Sequence, residues 1–378
     1  MESREHLLRE FEKKLDQRIA RYEPAPVVYA NFWSKLFFAH AFRNQFAVPL
    51  PQPAWVDWLM ERIESASIPA GLDAIPIRAP IFVVGLPRSG TTLLHYLLAA
   101  HDDATGFTNI MNSFPNALLA IDRIQRALRL NIRGDRHLRD SVEVNFTSPS
   151  EPIMPWQAWT GQDMYDLTFR RLARRDLGEA AVARIHRDVR KVLHASRLEN
   201  PRFVCKYPYF ATQMPVLREI FPDARFIHIV RDPKRVCPSM AKLYLLIEHQ
   251  RLLVRHPSVK TIVPYPRVPS LKALIDRHGP ESPTTTATVW KETADLIEND
   301  GAAMEGNLFQ IRYEDLLDRP AETMAGVFEF ARLRAPAPEN ARYAAEFAKI
   351  GKLRHENRYV ALPEIERIAG STARRYGY

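Results

Sequence analysis

The chain has 378 residues, 46% of them hydrophobic, which suits one large domain with a sizeable core and an appended helical region better than three separate domains. A formal charge of +9 suits an anionic ligand or an acidic partner surface, but arginine is spread along the chain without a dense basic tail or interleaved aromatic repeat, which argues against nucleic-acid binding. The only two cysteines, Cys205 and Cys237, sit in apolar contexts, arguing against a disulfide framework or a zinc site and for a reducing, cytoplasmic compartment.

The N-terminus has mixed charge and no apolar core of signal-peptide length. Residues 3–22 read as a charged amphipathic helix, with Leu7, Leu8, Phe11, Leu15 and Ile19 along one face. Helices are also expected over 31–42 and 54–63, on either side of a proline-rich stretch. The apolar run Phe32 to Phe42 is too short to cross a bilayer; it either lies on a membrane surface or, the preferred reading, covers a neighbouring helix. The first strand is 81–85, followed by helices over 113–130 and 179–198. Then comes an alternating stretch: strand 202–206, helix 212–220, strand 224–230 and helix 233–253. The proline-rich segment 256–283 reads as an ordered lid or loop outside the core. Helix 287–298, strand 308–313 and helix 314–330 complete the pattern, with no internal repeat. Such alternation implies an α/β fold, a parallel sheet flanked by helices.

Two constellations carry chemistry. The strand Ile81–Val84 runs into Gly85-Leu86-Pro87-Arg88-Ser89-Gly90-Thr91-Thr92, and an apolar helical segment follows at once. That order aims backbone N–H groups at a helix N-terminus, a ready anion site. The spacing is that of a Walker A loop, but Thr91 stands where the phosphate-reaching lysine belongs, and the cation has moved to Arg88. A phosphoryl transferase would lose its main γ-phosphate contact, so the loop suits a different phosphate anhydride. The second constellation is the strand ending in Arg231-Asp232-Pro233, with Ser239 on the helix beyond. Ligands of open α/β sheets bind at the C-terminal ends of strands, and an arginine with a hydroxyl there makes a phosphate clamp. Alternatively Arg231 forms a structural salt bridge.

Together these resemble the sulfotransferases that use 3′-phosphoadenosine 5′-phosphosulfate (PAPS), in their bacterial branch related to tyrosylprotein and heparan sulfotransferases. Pro87 to Thr92 is similar to their 5′-phosphosulfate loop, Arg231 and Ser239 to their 3′-phosphate motif, and Tyr313-Glu314-Asp315 to a segment found near the adenine. The resemblance covers residues 80–110 and 200–335. It implies that Arg88, Ser89, Gly90, Thr91 and Thr92 hold the 5′-phosphate side of PAPS, with Arg88 at the leaving bridging oxygen. It also implies that Lys206, at the end of its strand, reaches the sulfonate; a solvated edge charge is the other reading. Lys352 and Arg354 lie where similar enzymes close a basic loop over the 3′-phosphate, unless they are only a solvated basic stretch. No metal is required, because the transferred group carries less charge than a γ-phosphate.

The general base is the departure from the pattern. Relatives place a glutamate near Gly106 to Ile110, where this chain has Thr108 and Asn109. Glu151 and His355 are the substitutes considered, each with a surface or capping role as its alternative; His95 and His101 are read as structural. Trp156, Trp159, Tyr165 and Phe169 either wall the acceptor pocket or, the favoured reading, belong to the core. The expected organisation is an N-terminal helical extension (1–78), a P-loop-like core (79–335) with a substrate-side helical insertion (111–200) and a lid (256–286), and a C-terminal helix with a cofactor-covering loop (336–378). The acceptor is a hydroxyl, or less readily an amine, of a small molecule, lipid or glycan. A nucleotide kinase with an atypical loop, or a nucleotide-binding protein without a base, remain the alternatives. Oligomeric state is not legible.

Overall fold

A computed structural model describes residues 54–131, 133–135, 143–254, 262–304, 306–352 and 362–378. The helices expected over 3–22 and 31–42, the Phe32–Phe42 stretch, Arg354 and His355 lie outside these.

The core is a five-stranded sheet in which every neighbouring pair is parallel, ordered β2-β5-β1-β6-β7. Its strands are β1 (Ile81–Val84), β2 (Ala104–Thr105), β5 (Arg202–Lys206), β6 (Arg225–Val230) and β7 (Leu308–Arg312). β1 is central and buried at all four positions, as a β-branched and aromatic run covered on both faces should be. Period-2 alternation divides its side chains between two cores. Phe82 and Val84 face one side, where Phe82 packs on Phe203, Phe210, Phe221 and Phe226. Ile81 and Val83 face the other, against Leu94, Leu97 and Leu98 of α2 (Thr91–Ala99). The chain order reverses about β1, so the segments leaving β1, β5 and β6 open at one edge of the sheet.

Helix α1 (Ala54–Ser67) and the helices of the insertion cover the Phe82 side. The helix expected over 113–130 is instead α3 (Asn109–Ser113) and α4 (Leu118–Ala127), interrupted by Pro115. An antiparallel pair, β3 (Arg133–Asp135) with β4 (Glu143–Asn145), adds strand structure to an insertion read as helical. α5 (Ile153–Thr160) follows, and α6 (Arg174–Ser196) consists of a short turn, a break at Gly178 and then the long helix in the place expected. Trp156 and Trp159 are core residues, T-shaped to one another.

Between β5 and β6 runs α7 (Met214–Ile220), and β6 feeds α8 (Pro233–Val254), which begins with proline in its first turn. The segment read as a lid is, over its described part, a wall of a third core. Tyr265, Val268 and Leu271 are buried, and it contains α9 (Leu271–His278) and the start of α10 (Pro283–Ala302). Its irregular backbone stays inside because buried Arg267 donates to the carbonyls of Met164, Val263, Tyr265 and Asp166. After β7 the expected single helix is split at Pro320 into α11 (Tyr313–Asp318) and α12 (Pro320–Ala331). α13 (Ala341–Phe347) and α14 (Leu362–Arg375) complete the described chain. No helix among the described residues is long and apolar enough to cross a membrane.

Candidate active site

The loop after β1 lies flat against its neighbours. Gly85 has φ 143°, and a Cβ there would stand 2.6 Å from the Ile229 carbonyl oxygen of β6. Gly90 has φ 93°, and its Cβ would fall 2.2 Å from the Tyr313 ring. Only glycine fits either position. Between them Arg88 is held at φ 70°, a conformation uncommon outside glycine and a mark of a functionally constrained loop. Thr91 opens α2, so the loop ends on the unpaired first-turn N–H groups of a helix.

Arg88, Arg231, Ser239 and Tyr313, distant in sequence, form one cluster. The Arg88 Nε donates to Ser239 Oγ at 3.0 Å, and Arg231 Nη1 donates to the Arg88 carbonyl at 3.1 Å. The Arg231 guanidinium lies 4.4 Å from the centre of the Tyr313 ring. Burial holds the Arg231 guanidinium below its ordinary pKa, while Tyr313 and Glu314 work to keep it charged. Burial also raises the Tyr313 phenol, against the pull of Arg231. Two buried polar atoms here, Ser89 Oγ and Arg231 Nε, have no hydrogen-bond partner. Two guanidiniums drawn together beside orphaned donors and a helix N-terminus fit a ligand with more than one anionic group.

At the end of β5, Lys206 is buried and its Nζ pairs with the Glu151 carboxylate from the insertion. Glu151, read as a candidate base or else as a surface residue, therefore lies at the sheet's C-terminal edge. Both line a cavity of about 170 Å³ that also meets Pro87 and Thr92 of the loop. Much of its wall is apolar or aromatic: Tyr207 and Tyr209 after β5, Leu243 and Ile247 on α8, and Val263 from the third core. Sequence reasoning missed this wall, since its residues come from three separate segments that only the fold brings together. Burial pushes the Tyr207 and Tyr209 phenols up, so they are neutral hydroxyls.

Thr108 and Asn109, where the resemblance led a glutamate to be expected, have other work. Thr108 caps α3 by accepting from the Met111 N–H, and the Asn109 side chain donates to the Asn145 carbonyl at 2.8 Å. His101 is structural: Nδ1 accepts from the Asp103 N–H at 3.0 Å, and Nε2 lies 2.9 Å from the Arg334 carbonyl. His95 lines the cavity. Lys352 ends a 3-10 turn, Ile350–Lys352, and its side chain and Arg354 lie outside what is described. Among the described residues no group of three or more His, Cys, Asp or Glu side chains is placed to hold a metal ion.

A parallel sheet with a glycine-bounded loop running from its central strand into a helix, and cations at the ends of both flanking strands, defines a P-loop-like fold. The family model described as "Sulfotransferase family" matches residues 80–337, and the chain belongs to this family and is a sulfotransferase. It is 25% identical over 323 residues to the omega-hydroxy-beta-dihydromenaquinone-9 sulfotransferase Stf3 of Mycobacterium bovis and Mycobacterium tuberculosis, covering 79% of this chain and 75% of Stf3. Among solved structures it is similar to sulfotransferase STF9 from Mycobacterium avium, with 14% identity, a TM-score of 0.50, and 90% of this chain and 95% of that one covered. Sulfotransferase STF1 from Mycobacterium tuberculosis aligns at 16% identity and a TM-score of 0.49, over 91% of this chain and 85% of that one.

Proposed function

We propose that the protein moves the sulfonate of PAPS to a hydroxyl on an apolar, lipid-like acceptor, in the cytoplasm. One observation carries this reading: the Arg88–Arg231–Ser239 cluster is built on the loop Pro87–Thr92, and the Lys206–Glu151 pair opens into a mostly apolar cavity that meets the same loop. The first is suited to a phosphorylated nucleotide and the second to an acceptor. The name of the mycobacterial relative, a sulfotransferase of a hydroxylated menaquinone, points the same way.

When bound, PAPS supplies the sulfonate, and transfer forms an oxygen–sulfur bond to the acceptor as the bond to the bridging phosphate oxygen breaks. The residues of the chain divide the remaining work. The loop amides of Ser89 to Thr92, with the hydroxyls of Ser89, Thr91 and Thr92, hold the 5′-phosphate. Arg88 neutralises charge on the bridging oxygen, and Lys206 holds the sulfonate oxygens. Arg231 and Ser239 bind the 3′-phosphate, Tyr313 stands at the adenine side, and Lys352 and Arg354 cover the nucleotide. Glu151 takes the acceptor's proton; its position beside Lys206 keeps base and sulfonate cation within one contact of each other. Residues 79–335 form the transferring unit.

Thermal shift tests the donor. The bisphosphate 3′-phosphoadenosine 5′-phosphate is expected to raise the melting temperature well above AMP, ATP or GTP at equal concentration. Equal stabilisation by AMP would remove the 3′-phosphate assignment. Transfer from PAPS to farnesol or dodecanol, with none to lactose, tests the acceptor class; the reverse preference would overturn it.

A further inference from the structure

The imidazole of His95 sits on α2 among Leu94, Leu97 and Leu98 and is as buried as they are, with 2% of its surface exposed. Buried polar atoms are nearly always hydrogen-bonded. Yet His95 Nε2 has no partner, whereas His101 in the next turn of chain has one for each ring nitrogen. An unpartnered buried nitrogen costs stability in the free protein, and the cost is offset only when something else supplies the partner.

Its position says what that something is. His95 lines the same cavity as Thr92, Glu151 and Lys206. It lies three residues after Thr92, on the same face of α2, one turn beyond the anion loop. Burial, and secondarily the charge of Lys206, lower its pKa from 6.5 to about 3, so the ring is neutral over the whole working range. So weak a base does not keep a proton.

We infer that His95 is an acceptor-binding residue, its Nε2–H donating a hydrogen bond to the oxygen of the hydroxyl that receives the sulfonate. This rests on the sulfotransfer reading above. In this arrangement the acceptor's own O–H points to Glu151, which takes the proton as the new oxygen–sulfur bond forms, and His95 neither gains nor loses one. The ring fixes the direction of the oxygen lone pairs; Glu151 remains the base.

The test compares His95→Leu and His95→Gln with wild type, using PAPS and farnesol. Leucine keeps the bulk and removes the polar atom; kcat/KM for farnesol is expected to fall about 100-fold. Bisphosphate affinity should stay within about twofold. The melting temperature of the leucine variant should be equal to or above wild type, because the orphaned nitrogen is gone. Glutamine places an amide near the same point and should recover activity to within about tenfold of wild type. Wild-type kcat/KM in the leucine variant, or a glutamine variant no more active than the leucine one, would show that His95 does not act through a hydrogen bond and would overturn the inference. Loss of bisphosphate binding in a folded variant would do the same, since the effect would then reach the donor loop. If the leucine variant does not fold, the glutamine variant with a His95→Asn control decides by the same readings. A wild type that binds bisphosphate but sulfonates no alcohol would instead remove the acceptor reading, and this inference with it.

Discussion

At the scale of single residues, Lys206 stands apart from the Arg88–Arg231 pair, and on the proposed reading the two serve different ends of one ligand. Lys206 is almost fully buried and is paired with a half-buried carboxylate. Removing it should leave the nucleotide clamp at Arg88, Arg231 and Ser239 untouched. Lys206→Ala is therefore expected to lower sulfonate transfer at least 100-fold while bisphosphate affinity, read by calorimetry, changes no more than about threefold. Unchanged turnover would take Lys206 out of the site. Lys206 and Arg231 were legible in the sequence because each directly ends an apolar strand, and strand ends of parallel sheets are where ligands meet the protein. The Arg88–Ser239 contact was not, since it joins residues the sequence assigns to opposite phosphates. His95 read as structural because it follows the burial pattern of its helix; only its lack of a partner sets it apart, and that is a property of packing.

At the scale of elements, the loop after β1 works because β6 and α11 press against it. Gly90 is the point of contact, with a left-handed φ and the Tyr313 ring where a side chain would go. Gly90→Ala should cost about 1–3 kcal/mol of stability from backbone strain and overlap. It should also displace Tyr313 from under Arg231, so that bisphosphate binding weakens by at least tenfold in titration. A variant as stable as wild type, with intact binding, would show that the ring moves aside freely. Strands β1, β5, β6 and β7 were read nearly to the residue, because short apolar runs mark buried parallel strands without reference to the rest of the chain; the short β2, β3 and β4 carry no such run and were not read. Helices were misread where proline falls inside an apolar run, at Pro115 and Pro320. The 262–270 wall was misread for a different reason. Its prolines resemble a surface loop, and the buried Arg267 that satisfies its carbonyls reads in sequence as one more surface charge.

At the scale of the whole molecule, two buried histidines tie stability to acidity. His95 is lowered to about 3 and His228 to about 4, each chiefly by burial, against 6.5 in the unfolded chain. Both are neutral when folded, so below pH 6.5 the unfolded state takes up protons that the native state refuses. Their stabilisation is complete above that pH and is lost as pH falls toward 4. By pH 5 the loss is about 2 kcal/mol for each. Urea midpoints measured between pH 7 and pH 5 should fall accordingly, and a flat profile would contradict the burial of these rings.

The same interior hides two thiols with a reporting position. Cys205 immediately precedes Lys206 on β5, and Cys237 lies two residues before Ser239 on α8; both are free, fully enclosed and held well above the ordinary thiol pKa by burial. A thiol reagent can reach either one only when its strand or helix opens. Each cysteine is therefore a built-in clock on one half of the site, one timing the sulfonate side and the other the nucleotide side. Bisphosphate should slow the labelling of Cys237 more than that of Cys205, and mass spectrometry of the labelled peptides would read the two rates separately.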